Sequence, residues 1–110
     1  MFADYRSRMA APRSAYPAVR FVHVTVPLTT GSACQNVVRE RFSDLIRQTY
    51  AGSEPMFDLA KLEAARPDGS AETFNDVRAL VPAYSSDGGH LNAIGEDVVA
   101  RALVAYLASL

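Results

Sequence analysis

The chain has little of what would tie it to a membrane, a nucleic acid or a metal. Its single cysteine, Cys34, excludes an internal disulfide and any cysteine-built zinc cluster, and it agrees with a reducing, cytoplasmic compartment. Charge of one sign is also missing: 11 basic and 12 acidic residues leave a net charge of −1, so no field is expected that would attract nucleic acid or an anionic bilayer. No apolar run approaches the roughly 18 residues of a membrane helix, so no membrane span is expected. The opening MFADYRSRMAAPRSAYP has no apolar core followed by a cleavage site, so it does not read as a secretory signal. Repeats, low-complexity tracts and long linkers are absent as well. The 110 residues, 49% hydrophobic and 21% charged, suit one small globular domain spanning 1–110.

The segments present alternate between two periods. Phe2, Tyr5, Met9 and Ala10 are spaced as one face of a helix over 2–15, which Pro17 closes. VRFVHVTV, 19–26, is β-branched and aromatic almost throughout and reads as a strand covered on both faces, ended by Pro27. After the polar loop LTTGSACQN, a second helix is expected from about 34 to 50. Its buried stripe would be Val38, Phe42, Leu45, Ile46 and Thr49, and its wet face Arg39, Glu40, Arg47 and Gln48. PMFDLA, 55–60, reads as a short buried strand entering a helical turn that carries Leu62 and Glu63. Residues 64–91 read as mostly loop, with turn signals at Pro67-Asp68-Gly69 and Asp87-Gly88-Gly89. Asn92 is a fitting N-cap for the last helix, and Glu96 and Asp97 place negative charge in its first turn. There Ile94, Val98, Ala102 and Tyr106 form the apolar stripe. Strands alternating with helices imply an α/β fold with a small parallel sheet of about two strands and three main helices.

In open α/β sheets, reactive groups gather on loops beyond the carboxyl ends of the strands. The stretch SDGGHLNAIG, 86–95, lies on such a loop and places Asp87 three residues before His90. Imidazole is the side chain suited to proton transfer near neutral pH, and a carboxylate on its far nitrogen fixes the tautomer. Two intervening glycines let both side chains turn into one cleft. The bland reading is a turn with an exposed histidine before a capped helix.

YSSDGGHLNAIG followed by a terminal amphipathic helix resembles the last block of the SGNH hydrolases, a branch of the GDSL esterase and lipase superfamily. The matching residues are Asp87, His90, Leu91, Asn92 and Gly95. Upstream, VRFVHVTVPLTT looks like the family's fourth strand and active-site loop, NVVRERFSDLIRQTY like the next helix, and MFDLAKLEAARPDG like the fifth strand and its acidic turn. The resemblance implies the C-terminal half of a flavodoxin-like three-layer α/β/α domain without its N-terminal strands. It implies hydrolysis of carboxylic or O-acetyl esters by a Ser-His-Asp route with no metal or cofactor. Asp87 and His90 would be the catalytic residues present, and a small-molecule ester the substrate. The family's Gly-Asp-Ser and Gly-x-Asn-Asp blocks do not occur; Asn75-Asp76 lacks the preceding Gly-x.

Within the chain, Ser32, Ser85 and Ser86 are the serines nearest in sequence to a site role, each short of an oxyanion hole. His23 inside an apolar strand reads as a satisfied core histidine, and Asp58 as a strand-end cap rather than the partner of Glu63 in a carboxylate pair. Cys34 has no activating neighbour, Arg39 and Arg41 read as a solvated face, and a His23–Asp87–His90 metal site lacks any ligand pair at helical spacing. The second expectation is non-catalytic: an α/β association module, with a homo-oligomer formed through the unpaired edge of VRFVHVTV.

Overall fold

The computed structural model describes residues 1–32 and 34–110 in full and residue 33 through its backbone. Helix α1 (Phe2–Ala15) leads into β1 (His23–Val24), α2 (Ala33–Tyr50), β2 (Met56–Phe57) and α3 (Leu59–Glu63). Strands β3 (Thr73–Phe74) and β4 (Val77–Arg78), a 3-10 turn at Pro82–Tyr84 and α4 (Ala93–Ala108) complete the chain. The protein is therefore mixed α/β, with one parallel pair joined by a helical crossover. Among the described residues no helix is long and apolar enough to cross a membrane.

β1 and β2 run parallel, with His23 opposite Met56 and Val24 opposite Phe57. The ladder continues by one bond at each end: His23 N–H donates to Pro55 O at 2.9 Å and Thr25 N–H to Phe57 O at 3.2 Å. The strand expected over 19–26 is thus much shorter. Its first residues turn instead, with Val19 N–H bonded back to Tyr16 O. A β-rich segment becomes a long strand where a neighbour pairs along its length, and the neighbour here, β2, is two residues long.

α2 crosses over with a face turned from the expected one: Ile46 is buried and Phe42 and Thr49 are partly buried, as the spacing predicts, but the rest of the stripe is not. Val38 and Leu45 are 63% and 40% exposed, whereas Asn36, Ser43, Ile46 and Tyr50 are buried. The spacing of these four is helical, so the helix is amphipathic about an axis that hydropathy does not reveal. The cause is the backbone that leaves β1. Residues 26–29 have no strand beside them on this side, and buried N–H and C=O groups need partners. Ser43 Oγ accepts from Val26 N–H at 3.0 Å, and Asn36 accepts from Thr29 N–H at 3.0 Å while donating to Thr29 O at 2.8 Å. Arg39, expected on the wet face, donates to Pro27 O at 2.9 Å. Arg47, likewise expected outside, grips Asp58 with two bonds of 2.8 Å. Polar side chains win the inner face because leaving those backbone groups unpaired costs about 1–3 kcal/mol each.

The main core adjoins the end of the parallel pair, where Ala60 N–H donates to Thr25 Oγ1 at 2.9 Å. Leu28, Ala60, Ala64, Leu80, Val81 and Tyr84 form one buried cluster, against which Leu91 and Val98 pack. It is closed by α3, α4 and the segment 79–84. On α4, Val98, Ala102 and Tyr106 are partly buried as the spacing predicts, but Ile94 is exposed. Tyr106 reaches across to accept a 2.7 Å bond from Met56 N–H.

The region 64–91, expected as mostly loop, contains the β3–β4 hairpin. Asn75 and Asp76 have φ of +50° and +63°, which a two-residue hairpin turn of mirror-image type requires, and Asn and Asp tolerate it best after glycine.

Candidate functional site

The segment 85–91 is a closed loop between the 3-10 turn and α4. Ser85 and Leu91 pair across its neck. Ser85 Oγ donates to His90 O at 2.7 Å and accepts from Gly88 N–H at 2.9 Å. Asn92 fastens the far end: its N–H donates to Tyr84 O at 2.8 Å, its amide donates to Ala83 O at 3.0 Å, and its Oδ1 caps Ile94 and Gly95 N–H, each at 3.0 Å. Both loop ends are therefore held by side chains that the sequence places there.

Within this frame Asp87 and His90 face each other. Asp87 Oδ2 lies 2.7 Å from His90 Nδ1. The other oxygen, Oδ1, accepts from Gly89 N–H at 2.9 Å and from His90 N–H at 2.8 Å. Both carboxylate oxygens are thus spent on holding one turn and one ring. The backbone N–H groups of His90 and Gly89, together with the imidazole, hold the Asp87 carboxyl far below the usual carboxylate range. The pair is open to water, with side chains 58% (Asp87) and 90% (His90) exposed.

The loop is fastened to the exit of β1. Thr30 N–H donates to Gly88 O at 2.9 Å. Gly88 adopts φ +88°, which favours glycine, and a Cβ there would stand 2.8 Å from Thr30 Oγ1, so the Thr30 hydroxyl would have to shift to admit one. The loop that carries the pair is therefore tied to the segment that follows β1, six residues beyond Val24.

Chemically, a carboxylate on Nδ1 fixes an imidazole so that Nε2 is the working nitrogen, able to take a proton from a hydroxyl and return it to a leaving group. Among the described residues no serine hydroxyl bonds to the His90 ring. Ser85 contacts the histidine's carbonyl oxygen and serves the loop. Ser32 stands at the N-cap position of α2 without a side-chain cap bond, and Ser86 is exposed.

The other candidates fall elsewhere. His23 is fully buried: Nδ1 is 2.7 Å from Tyr5 Oη, Nε2 is 2.6 Å from Glu54 Oε2, and the ring stacks on Tyr50 at 3.5 Å between centroids. It is the anchor by which α1 docks, with Arg13 on Glu54 as the second tie. Asp58 caps α3 by accepting from Lys61 N–H at 3.2 Å, and it takes the Arg47 guanidinium. Burial would raise its pKa, but the Arg47 bonds outweigh that and leave it lowered. Glu63 does not join Asp58: its Oε2 accepts from Leu28 N–H at 2.7 Å inside the core. Burial pushes the Glu63 carboxyl up, against the Leu28 bond and the charge of Arg39. Cys34 is exposed in the first turn of α2. Among the described residues no group of three His, Cys, Asp or Glu side chains could hold a metal ion.

Sequence reasoning missed the roles of Thr30, Asn36 and Glu63 in mounting the loop. Their one visible signal is polarity at positions where the surrounding segments bury themselves. Comparison with protein-family models, with curated proteins and with solved structures gives no match to this chain.

Proposed function

We propose that this chain carries the acid–base half of an SGNH-type serine hydrolase acting on carboxylic or O-acetyl esters. On this reading the three-layer flavodoxin-like domain is completed, and the nucleophilic serine supplied, by polypeptide beyond these 110 residues. The observation that carries it is the 2.7 Å contact of Asp87 Oδ2 with His90 Nδ1, on a loop locked at both ends and tied to the exit of β1. His90 Nε2 takes the serine proton as the serine oxygen attacks the ester carbonyl carbon. It then returns that proton to the departing alkoxide. Water repeats the cycle on the acyl-serine, while Asp87 keeps the ring in one tautomer and balances the imidazolium. The test is hydrolysis of p-nitrophenyl acetate by this chain and by a longer polypeptide that contains it, each beside its His90→Ala form. The longer protein should turn over ester and lose about 10³-fold or more with the substitution, in line with loss of a triad base. Full activity in His90→Ala would overturn the reading.

A second reading is favoured by a different observation. β1 pairs with β2 on one side, Val24 in it is exposed, and Val38 and Leu45 on α2 are exposed apolar residues as well. As a non-catalytic association module, the chain would pair with a second copy through the other edge of β1. Sedimentation equilibrium should then give a dimer or larger; a compact monomer at all concentrations would refute it.

A further inference from the structure

We infer that Glu63 is a positioning residue for the Asp87–His90 pair, acting through the loop that leaves β1. The inference rests on the acid–base reading of that pair.

Glu63 is 3% exposed, a costly place for a carboxylate, since burying a charged group without partners is worth several kcal/mol of destabilisation. A leucine would fill the core without that cost. What leucine lacks is an acceptor for Leu28 N–H, which no water can reach because Leu28 is completely buried. Glu63 Oε2 supplies it at 2.7 Å. The next two N–H groups are committed in turn. Thr29 N–H goes to Asn36 Oδ1 at 3.0 Å, and Thr30 N–H goes to Gly88 O at 2.9 Å. Three consecutive amides are thereby fixed, and the last of them holds the residue that follows Asp87.

Glu63 also reaches the site from the other side. Its backbone carbonyl accepts from Val81 N–H at 2.9 Å. Val81 opens the 3-10 turn Pro82–Tyr84, from which the loop of Asp87 and His90 springs. Leu80 N–H closes the frame on Thr29 O at 3.1 Å. One residue of α3 thus fastens both supports of the catalytic loop, the side chain taking the β1 exit and the carbonyl taking the 3-10 turn. Asn36 grips only the first of these. The charged group that faces the carboxylate from α2 is Arg39, itself engaged with Pro27 O.

The experiment is NMR on the 110-residue chain, comparing wild type, Glu63→Leu and Glu63→Gln. Two quantities are read: the exchange rate of the Thr30 amide and the titration midpoint of the Asp87 carboxylate carbon. Loss of a charge-assisted bond in Glu63→Leu should speed Thr30 exchange about tenfold or more relative to wild type. It should also move the Asp87 midpoint up toward the ordinary carboxylate range, because the turn that holds Asp87 low is no longer fixed. Glu63→Gln retains an oxygen acceptor and should restore both. A merely structural role in the core would change global stability and leave the Asp87 midpoint in place. A folded Glu63→Leu with the Asp87 midpoint at its wild-type value overturns the inference, whatever the Thr30 exchange rate. Should Glu63→Leu not fold, wild type decides. The Thr30 amide resonance is expected to shift as Glu63 itself titrates, and silence there overturns the inference equally. None of these readouts depends on turnover, so failure of this link and failure of the hydrolase reading are told apart.

Discussion

Replacing Gly95 by alanine sets two effects of opposite sign against each other. Gly95 is the third residue of α4, and in an ordinary helix position Gly→Ala gains about 1 kcal/mol. Here a Cβ would lie 2.6 Å from Tyr84 O, 2.9 Å from Tyr84 Cβ and 2.9 Å from Leu91 Cδ2. The nearest of these is backbone, and it cannot withdraw freely. Tyr84 O accepts the Asn92 N–H, and the Tyr84 hydroxyl is tied to Ala65 O at 2.8 Å. Relief therefore means moving the start of α4 outward, which stretches the Asn92–Tyr84 bond. Overpacking of this kind costs about 1–3 kcal/mol, and the weakened hydrogen bond adds about 1 kcal/mol. After the helix gain is subtracted, a net loss of about 1–3 kcal/mol remains, or a Tm lower by roughly 4–12 °C for a chain of this size. Urea and thermal melts of Gly95→Ala should show this. Gly89→Ala, whose Cβ meets nothing within 4 Å, should stay within about 0.5 kcal/mol of wild type. A Gly95→Ala protein more stable than wild type would refute the close approach of α4 to Tyr84, and with it the mounting of the loop between them.

Asp87→Asn keeps an acceptor for the turn but loses the carboxylate on Nδ1, and in an active longer protein it should lower kcat/KM for p-nitrophenyl acetate by about 10³–10⁴. Because the folded Asp87 carboxyl lies below its unfolded value, its contribution to loop order is present above pH about 4 and is lost only as pH falls through the lowered value. Amide shifts of Gly89 and His90 followed into acid should therefore hold past the point where ordinary carboxylates protonate. Arg47→Met removes both bonds to the half-buried Asp58 and should cost about 2 kcal/mol at neutral pH by urea denaturation, with the difference shrinking in acid as Asp58 protonates. Ser43→Ala, a small change at a fully buried site, should cost about 1–3 kcal/mol by orphaning Val26 N–H, whereas Val38→Lys should stay within about 0.5 kcal/mol. The reverse ranking in chemical melts would restore the hydropathy-based face of α2.

How much of this was legible in the chain depends on the range of the interaction involved. The contact between Asp87 and His90 is made by residues three apart, through an Asx turn and two glycines, so its chemistry is written in one short string. The cap at Asn92 and the stop at Pro17 are local in the same sense. What the string could not reveal is why Gly88 and Gly95 are glycine, because the atoms a Cβ would meet belong to Thr30 and Tyr84. The β3–β4 hairpin was a local signal overlooked: Asn75-Asp76 is a fitting mirror-image turn, but its flanking strands are two residues each and carry no alternation worth reading.

On α2 the expected stripe holds at Ile46 and fails at Val38 and Leu45, for a physical reason that reaches beyond this helix. Hydropathy ranks side chains by the cost of wetting them, and it presumes that the surface they meet is apolar. The surface α2 meets is the backbone leaving β1, where Val26, Pro27 and Thr29 offer bare N–H and C=O groups to Ser43, Arg39 and Asn36. Against such a surface, serine, asparagine and arginine are the residues that lower the free energy, and Val38 and Leu45 are left outside. The same logic places a carboxylate, Glu63, where a leucine would otherwise sit. Wherever a short sheet ends inside a domain, the helix beside it should carry its polar residues inward over the strand's exit, and the loop so held becomes stiff enough to fix a reactive side chain at its far side.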